Sequence, residues 1–366
     1  MDRNKANIYR ILDCSPPKML RNHHEGIDAL LNLMGKHGIK LYKTEREMDI
    51  GGSNGLIDTS DIVLIKVNAQ WKYRGCTNSD LVRGIIQRIL EHPNKFAGEI
   101  VLFDNGQGRG SLDCDTVWRE QPHDTSVHAN AEDERHSFSY LVDTVFVDSR
   151  VSKYLLDPIR ETFISKEDHS TDGYRKLPNV SYPCFTTVKG NRVELREGIW
   201  NGANHDQNLK LINVPVLKHH GGCGITGALK SFYGVLSMAD GKHHERHYEK
   251  LGQHCGEMIA KVRPPVINIL DCIWVTQVAW AGYPPENTTR LNQLLASIDP
   301  VALDYWAAKH LFYPIDNNDE HHPDKFAALR NHLIQAQIAI NSEGGINGHK
   351  VTSDEPCINI GSLRCS

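Results

Sequence analysis

The run Lys218-His219-His220-Gly221-Gly222-Cys223-Gly224 places an amine, two imidazoles and a thiol on one short stretch of chain. Each is a proton carrier, a nucleophile or a metal ligand in the right surroundings. His220-x-x-Cys223 offers two ligands from one loop, with Asp104 or Asp271 as a carboxylate third and His219 beside them. His243-x3-His247 is a further cluster, on one helix face if a helix starts that early. Such a set with an open position would hold a divalent transition metal (zinc, iron or nickel) and polarise a substrate. Lys218 reads as the partner of a ligand carboxylate or, if desolvated, as a general-base or Schiff-base lysine. Cys223 becomes a nucleophile if a helix N-terminus and Lys218 lower its pKa. The plain alternative for each histidine is a surface or hydrogen-bonded core residue.

These side chains need an element to hold them. Leu211, Ile212, Val214 and Val216 read as a buried strand before the loop, and Leu229, Phe232, Tyr233 and Leu236 as a helix after it. The Gly224-Ile225-Thr226-Gly227 segment then begins the helix. Its free amides favour an anion, with Lys218 and Lys230 adding charge. Otherwise Thr226 is only a cap and the glycines only make the turn. Other strand ends carry Lys66 and Asn68, Asp104 and Asn105, and Asp271. In a parallel sheet all these loops meet at one edge. Gly106 and Gly108, in Asp104-Asn-Gly-Gln-Gly-Arg-Gly110, would let amides approach a ligand. This is not the nicotinamide GxGxxG after a first strand, so a nicotinamide- or flavin-dependent reductase is the weaker alternative.

The clearest unit along the chain is βαβ: a strand at 61–67, a helix striped by Leu81, Ile85, Ile86, Ile89 and Leu90, and a strand at 99–103. Ser181–Val188 and Arg192–Arg196 flank Lys189-Gly190-Asn191 and read as a β-hairpin. Residues 111–136 are polar and read as an insertion or lid. Asp299-Pro300 caps a helix over Val301–Phe312. The expected fold is α/β, with a central mostly parallel sheet, flanking helices and a β-hairpin insertion. The division is 1–57 as an N-terminal extension, 58–312 as the core and 313–366 as a C-terminal helix and tail.

The 366 residues carry a net charge of −4, so no basic surface points to nucleic acid. No apolar run suits a membrane span and the first residues lack a signal-peptide core, which reads as cytoplasmic unless a leader has been removed. Nine scattered cysteines without a CxxC argue against a disulfide framework and against an iron–sulfur cluster bound by this chain alone. The oligomeric state is not legible here.

Three segments resemble the family called domain of unknown function 362: DIVLIKVNAQW with GCTNSDLVRGIIQRIL (61–90), LINVPVLKHHGGCGITGALKSFYGVL (211–236) and INILDCIW with LLASIDPVALDYWAA (267–308). The matching positions are Lys66, Asn68, Pro215, Leu217, Lys218, His220, Thr226 to Lys230, Gly234, Asp299 to Ala302 and Asp304. Ser231 stands where an asparagine is usual, and Gly-Gly-Cys follows the histidines where relatives lack it. The resemblance implies a shared core but no activity. Many relatives carry ferredoxin-like cysteine motifs absent here, which implies an electron-transfer setting for the family.

The expectation is an enzyme acting on a small anionic substrate. Lys218 pairs with the anion, His220 is ligand or general base, Asp104 or Asp271 supports it, and Lys66, Asn68, Gly106, Gly108, Gly224, Thr226, Gly227 and Lys230 hold the ligand. His219, His220, Cys223, His243 and His247 are the metal candidates. The alternative is a non-enzymatic ligand-binding or redox-accessory protein.

Overall fold

In the computed structural model the described residues are 5–14, 22–108, 110–115, 126–237, 245–278 and 285–365. The chain opens with β1 (Ala6–Leu12), α1 (Glu25–Lys36) and two short paired strands, β2 (Tyr42–Lys43) and β3 (Gly51–Gly52). The βαβ unit follows as β4 (Ile62–Val67), α2 (Ser79–Leu90) and β5 (Glu99–Asp104). Both strands are buried at every position, so their apolar residues run without alternation, Ile62 to Ile65 and Ile100 to Phe103, and the charged groups sit towards the strand ends. Asn78 starts α2 by accepting from the Leu81 amide. Next come the one-turn helix α3 (Phe138–Tyr140) and β6 (Val151–Leu155).

A separate antiparallel sheet contains β7 (Gly173–Lys176), β8 (Ser181–Thr186), β9 (Arg192–Glu194), β10 (Gly198–Trp200) and β11 (His205–Asp206). The expected hairpin is its β8–β9 pair. The chain returns to the main sheet with β12 (Leu209–Val214) and β13 (Val216–His220), then β14 (Gly224–Thr226) and α4 (Ala228–Ser231). It continues through α5 (Leu251–Glu257), β15 (Ile267–Thr276), β16 (Thr288–Ser297), α6 (Pro300–Ala307), α7 (Tyr313–Asp316), α8 (Ala327–Ser342) and β17 (Ile358–Arg364).

The main sheet has the order β17-β1-β16-β15-β12-β4-β5-β6. Its neighbours are parallel except at β16, which runs against both β1 and β15. This is the expected α/β fold. Side chains alternate between two cores on the two faces: Ile62 and Leu64 enter one, Val63, Ile65 and Val67 the other. The outer parts of the chain join this sheet, because β1 and β17 pair in parallel from Ala6–Ile358 to Leu12–Arg364. The tail after Gly344 shows no periodicity of its own; a distant strand orders it.

One expectation is corrected here. Gly224–Thr226 does not begin a helix. It is β14, antiparallel to β13 with Lys218 opposite Thr226 and His220 opposite Gly224. Gly224 has φ +80°, which makes the turn, and the β-branched Ile225 and Thr226 suit the extended pairing that follows. The described part of the 111–136 insertion packs inward: Leu112, Cys114, Ala129, Asn130 and Ala131 are buried. Residues 116–125 lie outside the described residues. Among the described residues no helix is long and apolar enough to cross a membrane.

Candidate functional site

Adjacent parallel strands bring Lys66 of β4 and Asp104 of β5 together at the carboxyl edge of the sheet. Lys66 Nζ lies 2.7 Å from Asp104 Oδ1, and both side chains are closed off from solvent. The ammonium also donates to the Val67 carbonyl at 2.6 Å, and the other carboxylate oxygen accepts from the Ala69 amide at 2.6 Å. Gly234 passes so close that a Cβ there would sit 2.8 Å from Asp104 Oδ1 and 3.2 Å from Lys66 Nζ. Burial pushes the Asp104 carboxyl upward and Lys66 opposes that shift.

Lys218 enters from β13 and is also buried; its ammonium donates to the Gly75 carbonyl. Burial is the largest influence on it, Lys230 the next, and together they bring its pKa down to about 7. The desolvation that the general-base reading required is therefore present. Lys230, half-buried on α4, lies 5.3 Å from the centre of the Tyr233 ring. Burial lowers its pKa too, and Lys66 adds to the effect.

The adjacent histidines cannot act together, because consecutive strand residues face opposite ways. His220 shares its face with Lys218. Its Nδ1 accepts from the Gly222 amide at 3.2 Å and its Nε2 lies 3.1 Å from His247 Nε2. The tautomer that serves both contacts carries its proton on Nε2. Burial, then Lys230, holds His220 well below the ordinary range. His219 points the other way, its Nδ1 2.9 Å from His321 Nε2, while His321 Nδ1 lies 3.1 Å from Asp316 Oδ2. Phe312 stacks on His321 at 3.8 Å. If Asp316 holds the His321 Nδ1 proton, His321 Nε2 accepts from His219 Nδ1, and His219 Nε2 is left as the basic atom. Sequence reading noted His321 only as half of an outlying histidine pair and missed Asp316 and the link to His219. The pair His321-His322 stands about a hundred residues from His219, and no local signal connects them.

Cys223 is fully buried in the β13–β14 turn and donates to the Ile225 carbonyl at 3.1 Å. Burial pushes its thiol up to about 12, the opposite of the expected activation. The segment that follows it, Gly224–Thr226, is the strand β14 rather than a helix start. His243 lies outside the described residues.

Both glycine-rich segments present amides that internal carboxylates already hold. The Asp304 oxygens of α6 accept from the Ala228 amide at 2.7 Å and the Leu229 amide at 2.9 Å. A Cβ at Gly227 would fall 2.3 Å from Asp304 Oδ1. The α4 amides expected to receive a ligand anion therefore carry Asp304. Asp157 likewise accepts from the amides of Gly106 and Gly108. Asn68 is engaged in the scaffold: its Oδ1 accepts from the Val216 amide at 3.0 Å and its own amide donates to Thr77 Oγ1 at 2.9 Å. Asp271 accepts from the Asn78 amide at 2.8 Å and the Ile273 amide at 3.0 Å, and burial raises its pKa to about 6. Asp299 caps α6 as expected, accepting from Val301 and Ala302 at 2.9 Å each.

Sequence reading also missed the cluster His169, Glu194 and His205, whose ligand atoms all lie within 4.8 Å of one another. Glu194 is fully buried, and its Oε2 lies 2.7 Å from His205 Nε2 and 2.5 Å from Arg175 Nη1. With Arg175 inside the cluster and Arg192 4.0 Å from Glu194 Oε1, a bound cation would meet like charge. The arrangement is that of an ion-pair network tying β7, β9 and β11 together.

No curated protein and no solved structure matches this chain. The segment 61–90 lies outside the one family match. Residues 199–309, from β10 to just beyond α6, match the family model described as a domain of unknown function (DUF362).

Proposed function

We propose that the protein is an enzyme that binds a small anionic substrate, a carboxylate or a phosphate, among Lys66, Lys218 and Lys230, with Lys218 exchanging a proton with it. One observation carries this reading: Lys66, Lys218 and Lys230 lie near enough to act on one another's charge at the carboxyl edge of the sheet, where Asp104 is the carboxylate paired with Lys66, and two of the lysines are buried. Buried positive charge in excess of its partners is stabilised by an anion. A lysine titrating at about 7 is matched to proton transfer at neutral pH. The nine free cysteines fit a reducing compartment such as the cytoplasm.

The test is thermal denaturation with inorganic phosphate or malonate against chloride at equal ionic strength, followed by a turnover screen of small carboxylates and phosphate esters. An anion-specific rise in Tm, lost in Lys218→Met and Lys230→Met, is expected. Equal curves in all three salts would remove the binding reading. Binding with no turnover would favour the ligand-binding protein over the enzyme.

A second reading has its own observation. The 3.1 Å between His220 Nε2 and His247 Nε2 is short enough for both nitrogens to bind one zinc, iron or nickel ion. The ion would have to displace the His220 Nε2 proton. Elemental analysis of the untagged protein beside His220→Ala/His247→Ala tests it, with stoichiometric metal lost in the variant as the supporting result.

A further inference from the structure

The paired strands β1 and β17 end side by side, and a cysteine follows each of them. Cys365 Sγ lies 4.0 Å from Cys14 Sγ, in thiol–thiol hydrogen-bond contact, although 351 positions separate the two in sequence. The backbone fixes both residues. The Cys365 amide donates to the Leu12 carbonyl at 2.9 Å, and the Cys14 amide donates to the Asn292 carbonyl at 2.8 Å. Cys14 is buried in the core that holds Tyr9 and Ile11, and Cys365 packs half-buried against that same core. Beside them Arg364 Nη1 lies 2.7 Å from Asp13 Oδ2, an exposed ion pair that contributes little by itself.

A break in strand alternation creates the thiol contact. Tyr9 and Ile11 point into one core, so regular alternation would send Asp13 after them. Asp13 instead takes φ +57°, a left-handed conformation that Asp tolerates better than most side chains. Its carboxylate stays exposed on Arg364, and Cys14 enters the core in its place. Helix α1 closes over the sulfur: a Cβ at Gly26 would fall 2.8 Å from Cys14 Sγ. The strand order ends at β17, which is held to the sheet through β1, so a bond at this point would secure the outermost strand.

We propose that Cys14 and Cys365 are a reversible disulfide site, closed by a low-molecular-weight disulfide such as oxidised glutathione, that pins β17 to β1. The more accessible Cys365 reacts first. Its thiolate attacks one glutathione sulfur, the glutathione S–S bond breaks, and one glutathione leaves with the Cys365 proton. The Cys14 sulfur then attacks the Cys365 sulfur, and the second glutathione leaves with the Cys14 proton. Two thiols and one glutathione disulfide thus become one protein disulfide and two glutathione thiols. A disulfide bond is about 2 Å long, so the sulfurs approach by about that much as it forms. Burial pushes both thiols up, so closure is slow at neutral pH and quickens about tenfold per pH unit as the thiolate fraction grows. The site uses none of the lysines of the anion reading.

The test is incubation of the full chain with oxidised glutathione, alkylation of the remaining thiols, and peptide mapping by mass spectrometry. A Cys14–Cys365 disulfide is expected, reversed by dithiothreitol and formed faster at pH 9 than at pH 7. The oxidised protein should melt several degrees above the reduced one. Cys14→Ser should stop the reaction at a glutathione adduct on Cys365, and Cys365→Ser should leave Cys14 reduced and the Tm unmoved by the oxidant. The proposal is overturned if the parent chain keeps glutathione on Cys365 with Cys14 alkylated, or if both are alkylated while Cys357 takes up glutathione. Equal melting of the oxidised and reduced parent would overturn the pinning of β17.

Discussion

His219 Nδ1 sits 2.9 Å from His321 Nε2, and Asp316 holds the far side of the His321 ring. Burial leads the lowering of the pKa of both imidazoles, so both are neutral at pH 7. In this chain of contacts His219 carries its proton on Nδ1, the less common neutral tautomer. Nitrogen NMR of histidine-labelled protein should show that pattern, and His321→Phe should release His219 to its Nε2–H form. An Nε2 proton on His219 in the parent protein would contradict the relay.

Asp304 stands in for an anion at α4. Asp304→Ala strips two buried amides of their acceptor, at about 1–3 kcal/mol each. A loss of about 2–6 kcal/mol by urea denaturation is therefore expected. Formate, small enough to occupy the vacated carboxylate positions, should restore part of that stability in the variant and none in the parent. A variant indifferent to formate would mean that the pocket collapses.

The Lys66–Asp104 pair makes a sharper test of burial. Removing one partner leaves a charge stranded away from water, so Lys66→Met or Asp104→Leu alone should cost about 3–5 kcal/mol. The double variant should recover much of this, because two apolar side chains carry no desolvation penalty. A double variant as unstable as the sum of the singles would show that the Val67 and Ala69 contacts dominate instead.

His332 gives a pH prediction. It is buried, neither ring nitrogen has a hydrogen-bond partner among the described residues, and burial, then Lys230, brings its pKa to about 3 from an ordinary 6.5. Between those values the unfolded chain binds a proton that the folded one refuses. The contribution is thus fully present above pH 6.5 and is lost as pH falls towards 3. At pH 5 this is about 2 kcal/mol relative to pH 7. His332→Leu should be neutral or stabilising at pH 7 and more clearly stabilising at pH 5. An equal gap at both pH values would mean that His332 titrates normally.

The βαβ unit and the Asp299 cap were legible because each is local. Fully buried strands read as unbroken apolar runs, and α2 carries its stripe at Leu81, Ile85 and Ile89. Lys66, Asp104 and Lys218 were legible as a group only through the rule that parallel strand ends share an edge. The Gly224–Thr226 segment was misjudged because a glycine-rich run before an apolar pattern fits a helix start as well as a hairpin. Pairing with Lys218 to His220 decides between them.

Sequence alone determined which elements are buried, which residue types gather near strand ends, and the DUF362 character of the 199–309 stretch. Those properties follow from periodicity and composition within short windows. Tertiary structure decided which amides were already taken, by Asp304 and Asp157, and which way each of His219 and His220 faces. It also brought Asp316 and His321 to His219. Hydrogen bonding and desolvation depend on neighbours tens of residues away, and those neighbours exist only once the chain has folded.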